Sequence, residues 1–221
     1  MPMTAGLTTF ECTVFAPGGV RLPASVELPE PAIALAILAH GAGSSRDSPR
    51  GRAVSGTLHR FGIGSMRVDL LTARESDGRE HAFDIDLLAE RLDAAVGFAA
   101  GDDRTRGLPI ALVGASTGAA AALAVAARRP ASVVAVVSRG GRPDLAMPLL
   151  GSVRAPTLLL VGGEDEVVLG LNREALVRLG GPAELVTVPG ATHLFEEPGT
   201  LDEVARRTAR WIAAHAPRRE G

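Results

Sequence analysis

Four short runs of the chain are apolar but for Thr157: residues 32–39, 109–113, 133–137 and 156–161. Strands buried on both faces read this way, because a parallel sheet covered by helices leaves no position turned toward water. Each run stops where the apolar pattern is interrupted: His40-Gly41, Gly114-Ala115, Ser138-Arg139-Gly140 and Gly162-Gly163. Between the runs the spacing becomes helical. Leu88, Leu92, Ala95, Val96 and Ala99 share one face, and residues 119–128 form an alanine-rich helix able to approach a sheet closely. Ahead of the first run, residues 8–16 and 20–28 flank Pro17-Gly18-Gly19, the pattern of an antiparallel lead-in. Near the end, Thr200-Leu201-Asp202-Glu203 has the form of a capping box, with Thr200 as N-cap and Glu203 reaching back to it. Leu201, Val204, Ala205, Thr208, Trp211 and Ile212 then line one face of a last helix, with Trp211 as a core anchor. Residues 217–221 are expected to fray.

Strand alternating with helix after such a lead-in predicts an α/β fold of three layers: a mostly parallel central sheet with helices on both sides. At 221 residues, with no internal repeat and no long linker, the expectation is one domain spanning residues 1–221. The net charge of −2 lacks the basic excess of a nucleic-acid binder. All 23 basic residues are arginine, which points to a GC-rich genome and rules out a Walker lysine or Schiff-base chemistry. The single cysteine, Cys12, can form neither an internal disulfide nor a Cys-rich zinc site. No signal-peptide pattern opens the chain, and no apolar run reaches the roughly 18 residues of a membrane span. The expectation is a cytoplasmic protein acting on a small molecule, with no cofactor, metal, nucleic-acid or membrane partner; the oligomeric state is not legible.

Chemistry concentrates in Gly114-Ala115-Ser116-Thr117-Gly118, which follows a strand directly and opens a helix directly. A serine on so sharp a turn needs small residues two positions before and after it, and the turn presents the hydroxyl at the carboxyl end of the sheet. Alone, the same five residues could equally be a capped turn or a phosphate-binding helix start. A serine nucleophile needs a base, and the base an orienting acid. His193, in a loop after the apolar run 185–188, is the best candidate base; His59, His81 and His215 read as solvated. The acid is Asp165, at the end of the run 156–161, with Glu164 and Glu166 as rivals that spacing does not exclude. For the oxyanion, the backbone N–H groups of Thr117 and Ala42 are assigned, with Gly41 or Gly43 as alternatives to Ala42. His40 is expected to shape that loop through hydrogen bonds.

These four segments, His40-Gly41-Ala42-Gly43, Gly114-Ala115-Ser116-Thr117-Gly118, Gly163-Glu164-Asp165 and Ala191-Thr192-His193-Leu194-Phe195, resemble the dienelactone hydrolase-like branch of the α/β-hydrolase superfamily. The resemblance runs from about residue 9 to residue 215. It implies a serine hydrolase of a small ester, thioester or lactone. Dienelactone hydrolase proper uses a cysteine where this chain has Ser116, so hydrolysis of a dienelactone is not implied. The segment between Ser138 and Pro156 is too short for a large lid, which suits small, soluble substrates. Arginines gather at strand ends: Arg46, Arg50 and Arg52 after the oxyanion loop, and Arg139 and Arg142 after the third apolar run. Arg139 or Arg142 is a candidate contact for an anionic substrate group, against surface solvation or an ion pair with Asp144. Two rival readings remain: a catalytically silent binding or regulatory module, and a nucleotide-binding domain, which the missing third glycine after Gly41-Ala42-Gly43 disfavours.

Overall fold

The computed structural model describes residues 6–78 and 80–217. Among these, eight strands form one sheet: β1 (Leu7–Ala16), β2 (Val20–Pro29), β3 (Ala34–Ala39), β4 (Ile63–Val68), β5 (Ile110–Ala115), β6 (Val133–Arg139), β7 (Thr157–Gly162) and β8 (Ala183–Val188). Their spatial order is β1-β2-β4-β3-β5-β6-β7-β8. The pairs β1–β2 and β2–β4 are antiparallel, and every later pair is parallel. The helices are α1 (Pro49–Arg60), α2 (Ala73–Ser76), α3 (Ile85–Gly101), α4 (Thr117–Arg128), α5 (Glu166–Leu176) and α6 (Thr200–His215).

The apolar runs feed two cores at once, because successive side chains of a strand point to opposite faces. Ala34 and Ala36 of β3 join Val54 and Leu58 of α1 with Ala209 and Ile212 of α6 on one face. Leu35 and Ile37 of the same strand join Leu92 of α3 and Leu123 of α4 on the other. Each Leu or Ile so buried contributes about 1.5–3 kcal/mol, and the one polar residue in these runs, Thr157, is buried with its hydroxyl donating to the Ala155 carbonyl. The five residues assigned to the inner face of α3 are all buried there. Between β6 and β7 lies only a run of 3-10 turns, Pro143–Ser152, packed on α4.

The chain leaves β3 toward β4 on one side and returns as β5 on the other, so the strand order reverses between β3 and β5. Open α/β sheets bind ligands at such a reversal, outside the carboxyl ends of the strands. Here those ends are His40 and Ser116.

Several expectations need correction. β4 was not among the four apolar runs, because Gly64, Ser65 and Arg67 interrupt its sequence; all six of its residues are nonetheless buried. Ser65 and Arg67 survive there because they are paired, Arg67 with Glu27 and Ser65 with His59. His59 is accordingly no solvated residue but part of that half-buried polar cluster. The last helix is capped by Gly199, not Thr200: the Thr200 hydroxyl donates to the Glu197 carbonyl, and the Glu203 carboxylate is held by Arg206 and Arg207. A true capping box does occur at Thr72 and Glu75, starting α2. Trp211 is partly buried against the core, its indole N–H donating to the Pro156 carbonyl. Of the expected frayed tail, residues 218–221 lie outside the described residues.

Candidate active site

Ser116 sits between β5 and α4 with φ 51° and ψ −120°, a backbone region that costs a non-glycine residue of order 1–3 kcal/mol. The surroundings impose it. The Ser116 N–H donates to the Arg139 carbonyl at 3.2 Å, and the Ser116 carbonyl accepts from Ala119 and Arg142 at 3.1 Å each. The small neighbours are a steric demand: a Cβ on Gly118 would lie 2.4 Å from the Ala39 carbonyl oxygen, and one on Gly114 2.3 Å from the Ala119 Cα. Ten consecutive residues of α4, Thr117 to Ala126, are buried, and the alanines let the helix lie this close. Thr117 begins the helix, so its N–H lacks an intrahelical acceptor.

The loop after β3 lies against the same turn. A Cβ on Gly41 would approach the Ser116 Cβ to 2.9 Å. His40 fastens this loop: its Nε2 accepts from the Leu70 N–H at 3.1 Å, so Nδ1 carries the proton and donates to the Gly41 carbonyl at 3.0 Å. Burial lowers the His40 pKa, keeping the ring neutral as that arrangement requires. Farther along, the Arg46 N–H donates to Asp69 at 2.8 Å and ties the loop to the end of β4. Among the described residues, the N–H groups of Ala42 and Thr117 donate to no protein acceptor.

On the far side, Asp165 occupies the N-cap of α5 but makes no capping hydrogen bond. Its carboxylate instead meets His193 Nδ1 at 2.6 Å. Glu164 and Glu166 point into solvent, so the structure brings together Asp165 and His193 and leaves the two rivals aside. Backbone bonds join the two loops, Gly163 N–H to the Val188 carbonyl at 2.8 Å and Glu164 N–H to the Ala191 carbonyl at 3.0 Å. Thr192 is braced by Glu197 through its N–H at 3.1 Å and its hydroxyl at 2.6 Å.

Ser116, His193, Ala42 and Arg139 line one cavity of about 200 Å³. No hydrogen bond joins the Ser116 hydroxyl to His193 in this structure. The two arginines after β6 part company. Arg142 does not line the cavity: it holds Asp144 in a bidentate pair at 2.8 and 2.7 Å, which corrects its candidacy as a substrate contact. Arg139 does line it, and burial, with the nearby Arg50 adding to it, pushes the guanidinium down to about 10. Of the other strand-end arginines, Arg46 pairs with Glu11 and Asp69, Arg50 with Glu196 and Arg52 with Asp47. Arg67 also reaches the cavity, a contact the sequence reading missed along with β4 itself.

Residues 73–215 match the model of the dienelactone hydrolase family. A protein of Mycobacterium tuberculosis (strain ATCC 25618 / H37Rv) bearing a phosphoribosyl transferase name is 50% identical over 198 residues; the match takes in 90% of this chain and 45% of that protein, so less than half of the relative is spanned. A dienelactone hydrolase from Anabaena variabilis superimposes with a TM-score of 0.92 at 43% identity, covering 96% of this chain and 99% of that one. Est1E from Butyrivibrio proteoclasticus, solved with ferulic acid bound, superimposes at 0.80 with 18% identity over 92% and 98% of the two chains, a likeness of fold alone.

Proposed function

The chain belongs to the dienelactone hydrolase family, and from that premise we propose that this hydrolase is a serine enzyme cleaving a small ester, thioester or lactone through an acyl-enzyme. Ser116 is the nucleophile, His193 the base and Asp165 the acid that orients it. The observation carrying the reading is the 2.6 Å contact of Asp165 with His193 Nδ1, on a ring that borders the same cavity as Ser116 on its strained turn.

In this scheme His193 Nε2 takes the Ser116 proton as Oγ attacks the carbonyl carbon. The N–H groups of Thr117 and of Ala42, or of Gly41 beside it, receive the negative oxygen of the tetrahedral intermediate. Collapse breaks the bond to the leaving alcohol or thiol, which departs with the proton from His193. Water, deprotonated by the same imidazole, then cleaves the acyl-serine and regenerates the hydroxyl. Asp165 keeps the proton on Nδ1 and stabilises the transient imidazolium. No cofactor or metal enters this scheme.

The cavity volume and the short segment between β6 and β7 support small substrates. The transferase name of the Mycobacterium relative is read as describing the part this chain does not match. A cytoplasmic setting belongs to the same proposal; separately, among the described residues no helix is long and apolar enough to cross a membrane. Short-chain 4-nitrophenyl esters test the proposal. A burst of nitrophenol equal to the enzyme concentration, absent in Ser116→Ala and His193→Gln, is expected; wild-type turnover by Ser116→Ala would overturn it.

A further inference from the structure

The chain has a net charge of −2, yet the wall of the cavity holding Ser116 includes four arginines and no carboxylate. Three of the four already have counter-charges. Arg46 is held by Glu11 and Asp69, Arg67 by Glu27 at 3.0 Å, and Arg50 by Glu196 at 3.1 Å. The fourth, Arg139, has no acceptor for its guanidinium among the described residues. Arg139 is half-buried on the cavity wall, and a partly desolvated cation with no counter-charge gains from any anion that reaches it.

Two comparisons sharpen the point. Arg142, three residues on, shows how a structural arginine at this turn behaves: it closes a fork on Asp144. Arg50, which lines the same cavity, is held by Glu196, whose side chain is 62% exposed and can be displaced by a better-placed anion. Arg139 is also fixed relative to the reaction. It pairs with Ala115 across β5 and β6, and its carbonyl holds the Ser116 N–H.

We propose that Arg139, assisted by Arg50, binds a carboxylate or phosphate group carried by the substrate, so that the preferred substrates are small esters with an anionic group on the part seated in this cavity. The planar guanidinium can grip either oxyanion with two parallel hydrogen bonds, which a lysine could not reproduce. That the anion belongs to an ester rests on the hydrolase reading; the anion site itself does not.

Hydrolysis of monomethyl succinate, methyl 3-phosphonopropionate and the neutral isostere methyl 4-methylpentanoate, followed by proton release, tests selectivity in the wild type without any variant. Both anionic esters, or one of them, are expected to be preferred, and the better one identifies the group as carboxylate or phosphate. Arg139→Gln is expected to cut kcat/KM for the preferred ester by about 10- to 100-fold, the worth of a charge-assisted pair, and to affect the neutral ester much less. Arg139→Lys is expected to restore part of the loss. Calorimetric titration of Ser116→Ala with succinate and with inorganic phosphate reads the site with no turnover, and the signal is expected to vanish when Arg139→Gln is added. Equal rates on neutral and anionic esters, or an equal fall on both in Arg139→Gln, would overturn the proposal. Anion binding without hydrolysis of any ester would leave the site standing and remove the hydrolase reading; hydrolysis without anion preference would do the reverse. If Arg139→Gln does not fold, by circular dichroism, wild-type selectivity and Arg50→Gln decide.

Discussion

The two halves of the site are held by different physics. The turn bearing Ser116 is enclosed: α4 behind it is buried from Thr117 to Ala126, and a methyl group on Gly114 or Gly118 would strike backbone atoms. The loop bearing His193 lies at the surface. Its imidazole is 39% exposed, and its place depends on Asp165, on the Thr192–Glu197 brace and on buried Phe195. Packing therefore positions Ser116, and a few polar contacts position His193. Damage to the first should appear as lost stability, and damage to the second as lost turnover in a folded protein.

Asp165→Asn gives the largest effect on that view. Removing the charge that selects the imidazole tautomer is expected to lower kcat by about 10³–10⁴-fold, while the melting temperature barely moves. A melt that falls as steeply as the rate would break the division between the two halves. Gly118→Ala comes next and acts the other way. Its Cβ would be 2.4 and 2.5 Å from two carbonyl oxygens that cannot swing aside, so a loss of at least about 1–3 kcal/mol in denaturant unfolding is expected. Ser116→Gly sharpens the same point. Glycine accepts φ 51° without strain, so it should be more stable than Ser116→Ala by about 1 kcal/mol, although both are inactive.

The smallest effect concerns pH. Burial lowers the pKa of His40 in the fold despite the opposing hydrogen bond to Gly41, and burial lowers that of His59 as well. The unfolded chain therefore takes up these protons first. The stability these rings contribute is complete above about pH 6.5, the ordinary histidine value, and is lost as pH falls, with a slope of at most about 1.4 kcal/mol per pH unit for each group. Thermal melts between pH 8 and pH 5 should show the decline, and His40→Gln should flatten it. An unchanged slope in that variant would mean the ring does not hold the loop after β3 as its contacts with Leu70 and Gly41 imply.

Much of this was legible in the chain. Apolar runs ending in glycine mark strands buried on both faces, and the elbow residues report their own steric requirement, so β3, β5, β6, β7 and α4 could be read directly. What escaped depended on partners distant in sequence. β4 is hidden because Arg67 looks like a surface residue until Glu27, 40 positions earlier, is placed beside it. Thr200 and Glu203 have the letters of a capping box, but Glu197 and two arginines compete for the same groups. Arg139 and Arg142 are indistinguishable by spacing, and only the fold shows which has Asp144 within reach.

Labelling with a fluorophosphonate probe, followed by peptide mapping, tests the assignment of Ser116 most directly. The expected result is one adduct per chain on Ser116, absent in Ser116→Ala and slowed in His193→Gln. Folded wild-type protein that takes no label, or carries it on another residue, would contradict the account.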